Sequence, residues 1–356
     1  MGAPTNPWQH PPYHATHTLA TQPPLTMPSI LVTGGAGFIG SALTWALNQR
    51  GQEDILISDV LGADEKWRNL VPLRFSDYID AADLLSAISS NPDALGPIET
   101  VFHLGACSAT TERDAGYLMR NNFHYTDSLA RWALARGARF IYASSAATYG
   151  DGSLGMDDAL EDLHSLRPLN MYGYSKHLFD CHAARHGLLP HIVGLKYFNV
   201  FGPNEDHKAD MRSVVHKAYG QILACGQVEL FRSHRPDYAD GAQQRDFLYV
   251  KDAVQMTLHL ADTASASGLF NLGSGLAHTW LDLAHAIFQA LDIPPEIRFI
   301  DMPESLRPKY QYYTCANITK LRSTDCQQAL TPLADAVADY VRNYLAHDRR
   351  LGDPTP

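Results

Sequence analysis

Cysteine, positive charge and long apolar runs are what this chain has little of. Its five cysteines (Cys107, Cys181, Cys225, Cys315 and Cys326) are scattered and form no CxxC pair. That argues against a disulfide framework or a zinc site and fits a reducing, cytoplasmic setting. Lys and Arg number 28 against 38 Asp and Glu, a net charge of −10. Such a surface repels nucleic acid and anionic membranes, so neither is expected as a partner, and an anionic ligand must be held by local amides and a few cations. The 17 histidines, among them His10, His14 and His17 near the start, show no HExxH-type spacing, and no metal site is expected. No charged residue precedes Arg50, yet residues 1–28 lack a basic n-region and carry seven prolines, unlike a signal peptide. The uncharged stretch 30–49 is broken by glycines and by Thr33, Ser41, Thr44 and Asn48, too polar for a membrane span.

What the chain does have is length and core-forming residues. With 356 residues, 45% of them hydrophobic, it can bury a sizeable core and hold one large α/β domain beside a smaller one. Residues 1–26, rich in proline and uncharged, read as a disordered leader. Met27, close before the first strand, reads as the true start. Apolar runs at Ser29 to Thr33, Ile55 to Ser58, Thr100 to Leu104, Arg139 to Ala143 and His191 to Phe198 alternate with helical patterns. This alternation predicts an α/β fold with a Rossmann-type, doubly wound parallel sheet. Beyond Pro203 the pattern loosens, with Pro-, Asp- and Gly-rich loops between Arg232 and Gln244. The expected division is a dinucleotide-binding domain over 27–198, to which 245–275 returns. A smaller C-terminal α/β substrate-binding domain is expected from 199–244 and 276–350, over the carboxyl edge of the sheet.

The first chemical motif, Thr33-Gly34-Gly35-Ala36-Gly37-Phe38-Ile39-Gly40, falls between a strand and a helix. Glycines there let the backbone approach a pyrophosphate, and the helix N-terminus offers free N–H groups. Asp59 ends the next strand, where a ribose hydroxyl needs an acceptor; a solvated strand-end carboxylate is the lesser alternative. The second motif, Tyr172-Gly173-Tyr174-Ser175-Lys176, puts Tyr172 and Lys176 on one helical face. Such spacing by itself is ordinary for a surface pair. After a dinucleotide turn and a strand ending in Ser144-Ser145, it predicts a tyrosine whose pKa the ammonium lowers, with Ser145 holding a substrate hydroxyl.

The GxxGxxG turn, the SSAATYG run from Ser144 to Gly150 and the YxxxK pair together resemble the extended short-chain dehydrogenase/reductase family, whose members oxidise, epimerise or dehydrate nucleotide sugars. The likeness runs from about Ile30 to Leu345, with Asn199 in YFNVFGP, Arg245-Asp246-Phe247 before a strand, and Asn271 to Gly275 as later landmarks. One branch, the ADP-glycero-manno-heptose 6-epimerases, is resembled in FHLGACSATTE (Phe102 to Glu112), MRNNFHYT, RPLNMYGYSKHLFD (Arg167 to Asp180), YFNVFGPNEDHKADM (Tyr197 to Met211) and KYQYYTCANI (Lys309 to Ile318).

This resemblance implies Ser145, Tyr172 and Lys176 as the catalytic set and Lys208 as a second acid/base. Toward the cofactor it implies Gly34, Gly37, Phe38, Ile39, Gly40, Asp59, Lys66, Asn122 and Lys176. Toward the substrate it implies Ser145, Asn199, Lys217, Arg245 and Tyr310, with Arg245 at the diphosphate. It further implies one NADP per subunit, with NAD as the other candidate, a nucleotide-sugar substrate, a homo-oligomer such as the pentamers known in the family, and a place in lipopolysaccharide core assembly. The chemistry itself asks for a second proton-handling group. Inverting a secondary alcohol without an acidic neighbouring C–H takes hydride away and returns it to the other face, and the reoriented ketone oxygen needs a donor elsewhere in the site. For Lys208 taken alone, a solvated loop lysine is the plainer reading.

Nucleotide-sugar 4,6-dehydratases carry an Asp-Glu pair after the threonine of the serine-rich strand end; here Thr148 is followed by Tyr149, so elimination lacks its acid and base. A UDP-sugar 4-epimerase, which needs only Ser, Tyr, Lys and cofactor, remains the alternative, beside a non-catalytic cofactor-sensing protein, against which the intact Tyr172 and Lys176 argue. Asp59 favours a free ribose 2′-hydroxyl and repels the phosphate of NADP. Lys66 stands where family members carry a helping lysine, and Ala81 where another is expected.

Overall fold

The computed structural model describes residues 29–354 except 305, 308 and 309. The leader over 1–26 and the start at Met27 lie outside the described residues. In chain order the strands are β1 (Ile30–Thr33), β2 (Ile55–Asp59), β3 (Asp77–Asp80), β4 (Thr100–His103), β5 (Arg139–Ser145), β6 (Ile192–Tyr197), β7 (Asn199–Phe201), β8 (Val228–Phe231), β9 (Gln244–Tyr249), β10 (Gly268–Leu272), β11 (Ala277–Thr279) and β12 (Ile297–Ile300). The helices are α1 (Phe38–Gln49), α2 (Ala81–Ser90), α3 (Ala115–Leu118), α4 (Tyr125–Ala135), α5 (Met171–Arg185), α6 (Val214–Cys225), α7 (Val250–Asp262), α8 (Trp280–Leu291), α9 (Thr319–Arg322) and α10 (Leu333–Asn343).

Seven strands form a sheet in the order β10-β6-β5-β4-β1-β2-β3, every pair parallel. Successive residues of β1 go to opposite faces, and both are buried. Ile30 and Val32 pack with Leu43 of α1 and Val254 of α7, while Leu31 packs in a second core with Leu129 of α4 and Phe179 of α5. This is the near-continuous apolar strand of a sheet covered on both sides. It is the Rossmann-type α/β fold, and the strand order reverses between β1 and β4, opening a crevice at their carboxyl ends.

The first core runs on without a break into Val215 and Ile222 of α6, Leu283 and Ile287 of α8 and Val337 of α10. A three-stranded sheet, β11-β9-β7, and a parallel pair, β12-β8, accompany these helices. Arg245 to Phe247 lie inside β9, not ahead of a strand as the sequence pattern suggested. Asp246 there accepts the N–H groups of Ser274, Gly275 and Ala316 and so pins the segments on either side. α7 and β10 return to the large sheet, where β10 pairs with β6.

Candidate active site

The glycine turn after β1 is tight because it has to be. Gly34 has a φ of 68°, and a Cβ on it would sit 2.6 Å from the Gly105 nitrogen of the facing β4 loop; one on Gly40 would collide with the Gly34 carbonyl. α1 then starts at Phe38, and Gly37 before it has no side chain to cap the helix, leaving the first-turn N–H groups open. Gly34, Gly37, Phe38, Ile39, Gly40, Asp59 and Lys66 line one cleft of about 360 Å³. A cradle of bare backbone and uncapped amides fits the pyrophosphate of a dinucleotide. At its far end Asp59 accepts the Ala36 N–H at 2.9 Å and the Lys66 ammonium at 3.1 Å.

A second cavity of about 380 Å³ shares Phe38, Ile39, Leu104 and Lys208 with that cleft and adds Ser145, Tyr172, Lys176 and Asn199. Its floor is the end of β5, which carries Ser144 and Ser145 on the strand itself. Tyr172 enters from the first turn of α5, which Asn170 caps by accepting the Gly173 N–H at 2.8 Å. One turn on, Lys176 is buried and donates to the Ala143 carbonyl at 2.8 Å. Burial pulls its pKa down to about 8. The Tyr172 phenol is shifted the other way: burial raises it, and a hydrogen bond with Ser145 works against that rise. The expected lowering of Tyr172 by Lys176 is not what this arrangement gives, because burial is the largest influence on the phenol.

Lys208 arrives from an unrelated segment, the 3₁₀ turn Asp206–Met211, with its ammonium 5.0 Å from the centre of the Phe38 ring. Burial lowers its pKa, Glu205 opposes that shift and Lys217 adds to it. Lys217 itself is exposed on α6 and lines neither cavity. Asn122 is also absent from the walls. Fully buried, its amide accepts the Cys107 N–H at 2.9 Å and donates to the Cys107 carbonyl and to Ser175, bracing the cleft from behind.

Arg245 is buried in β9, stacked 5.5 Å from Trp280 and 5.0 Å from Tyr310, and donates to the Gln244 carbonyl at 2.8 Å. Tyr310 accepts the Trp280 indole N–H at 2.8 Å and, with Leu230, Phe231, Ile300 and Trp280, lines an apolar groove of about 360 Å³. Trp280 borders both the groove and the catalytic cavity. Sequence reading missed it, together with Met211 and Arg212. The Thr279/Asp282 capping box marks where α8 begins, but nothing in it tells which side chain faces a site.

The model of the NAD dependent epimerase/dehydratase family matches residues 30–273. A protein of Nitratidesulfovibrio vulgaris named ADP-L-glycero-D-manno-heptose-6-epimerase is 54% identical over 316 residues, covering 89% of this chain and 98% of that protein. The crystal structure of the Helicobacter pylori ADP-L-glycero-D-manno-heptose-6-epimerase superposes with a TM-score of 0.74 at 26% identity, over 89% of this chain and 96% of that one. A Bacillus cereus UDP-glucuronic acid 4-epimerase with NAD bound gives 0.69 at 26%, over 88% and 98%. With most of its length matched and a relative more than half identical along it, the chain belongs to the NAD dependent epimerase/dehydratase family.

Proposed function

We infer that the protein is an ADP-L-glycero-D-manno-heptose 6-epimerase, inverting carbon 6 of ADP-glycero-manno-heptose through a transient 6-ketone. The substrate reading follows the relatives. The two-base reading is carried by one observation: Lys208 lines the same cavity as Ser145, Tyr172 and Lys176, although it comes from a distant part of the chain.

When bound, the nicotinamide supplies the acceptor and then the donor of the hydride at carbon 6. Gly34, Gly37 and Gly40 with the first turn of α1 hold its pyrophosphate, and Lys176 its ribose. Lys66 pairs with Asp59 beside the adenosine end, which supports NADP over NAD. Ser145 holds the substrate hydroxyl while Tyr172 takes its proton. The ammonium of Lys176 favours the phenolate against the burial that raises the phenol. Lys208 meets the oxygen in its second orientation and returns a proton to it. Arg245, buried among aromatic rings and donating to the Gln244 carbonyl, suits the diphosphate, and the apolar groove beside Tyr310 and Trp280 suits the base. Asn199 contacts the sugar.

The enzyme acts in the cytoplasm as a homo-oligomer and feeds lipopolysaccharide core assembly. Light scattering of the purified protein tests the assembly, a monomer counting against it. NMR of the product from ADP-D-glycero-D-manno-heptose, beside a UDP-galactose control, tests the activity. Conversion to the L-glycero epimer alone is the expected result, and conversion only of UDP-galactose would favour the 4-epimerase alternative.

A further inference from the structure

Glu205 plays no part in the reading above, yet it is one of the most deeply buried carboxylates in the protein, with 0% exposure. Its two oxygens accept the Ser213 N–H and the Ser213 hydroxyl, each at 2.6 Å. Residues 205 and 213 are the two ends of the segment that brings Lys208, Met211 and Arg212 to the cavity wall. One carboxylate thus clips that segment shut. The clip has strain to hold: Ala209, next to Lys208, has a φ of 46°, in the left-handed region that a residue with a Cβ adopts only when its surroundings impose it. Hydrogen bonds to Ser213 would be met as well by a neutral acceptor; burial pushes the Glu205 carboxyl up, and Lys208, Ser213 and His216 favour its charged form. The other charged groups around the lysine are Lys217 from α6 and its neighbour His207; around Glu205 they are His216 from α6 and Asp206, with the Tyr340 hydroxyl facing it from α10.

We propose that Glu205 is the positioning residue of Lys208, its carboxylate closing the loop that presents the lysine and supplying the negative charge that keeps the ammonium protonated in the cavity wall. The proposal rests on Lys208 as the second acid/base group. Removing the charge lowers the affinity of Lys208 for its proton, so the ammonium is lost at lower pH.

The test is the pH dependence of epimerisation in the cofactor-loaded protein, with Lys208→Met as reference. Glu205→Gln is expected to move the alkaline limb down by about one pH unit, the scale of a nearby opposite charge. Single-turnover nicotinamide reduction by the epimer that Tyr172 serves should stay at the wild-type rate. Glu205→Asp, which keeps the charge, should restore the limb. An unmoved limb in Glu205→Gln, or equal loss in both directions, overturns the proposal. If Glu205→Gln does not fold, Ser213→Ala removes one of the clip bonds; selective loss of the Lys208 direction supports the proposal, and equal loss or none overturns it. Wild-type turnover in Lys208→Met would instead defeat the two-base reading.

Discussion

Tyr172 and Lys208 reach one cavity on opposite kinds of support. Tyr172 rides on α5, a capped helix of 15 residues, above a buried network in which Asp180 accepts from Lys196 at 2.7 Å, from Ser144 at 2.8 Å and from Tyr142 at 2.8 Å. Lys208 rides on a six-residue turn that cannot hold its own shape. It depends on side chains from elsewhere: Glu205 to Ser213, Asp206 to His216 at 3.1 Å and to Arg350 at 3.4 Å, and Asn204 donating to Ser41 while accepting the Leu351 N–H. One group is placed by the sheet and helix that any protein of this fold has. The other is placed by pins from separated segments, including the C-terminal Arg350 and Leu351. A change in those pins can therefore disturb Lys208 while Tyr172 stays in place.

The largest effect is expected under Tyr172. Lys196→Met leaves Asp180 charged and unpaired in the core, and should cost about 3–5 kcal/mol in urea unfolding. If the loss is below about 1 kcal/mol, the network is not what carries the β5 end. Next, Tyr172→Phe and Lys208→Met should each keep the cofactor yet slow epimerisation by at least ~10²-fold, as product NMR would read. A smaller loss in Lys208→Met alone would erase the symmetry claimed for the two groups.

The frame that holds the glycine turn has its own pH signature. His103 is buried with Thr33 on one ring nitrogen and Thr126 on the other, at 2.7 and 2.8 Å, and burial holds its pKa down at about 3. The unfolded chain binds a proton there near pH 6.5. Stability present above that pH is lost as the pH falls from 6.5 toward 3, at about 1.4 kcal/mol per pH unit from this one group. Denaturant melts of His103→Gln over that range should show a shallower slope; an unchanged slope contradicts the assignment. The smallest effect belongs to the pins. Arg350→Gln should slow epimerisation by no more than about fivefold, the worth of a partly exposed ion pair, with cofactor affinity unchanged.

Much of the first region could be read in the sequence. The strand, glycine turn and helix from Ile30 to Gln49 carry their own punctuation, and Tyr172 and Lys176 fall on one face because a helix has 3.6 residues per turn. Short strands such as β7 and β12, of three and four residues, are too brief to show a period. Side-chain partners were less legible still. That Lys176 would donate to Ala143, or that Asn122 would brace Cys107 from inside, depends on contacts between distant segments. Glu205 and Trp280 were invisible for the same reason, since local spacing does not say which residues tertiary packing will bring to one wall.

The claim that two groups serve one cavity is tested most directly by giving Lys208→Met each epimer of ADP-glycero-manno-heptose separately and following nicotinamide reduction at ~340 nm in a single turnover, where general acid/base loss is isolated from binding. The two-base account predicts reduction with one epimer and none above background with the other. Equal reduction by both epimers at the wild-type rate would contradict it.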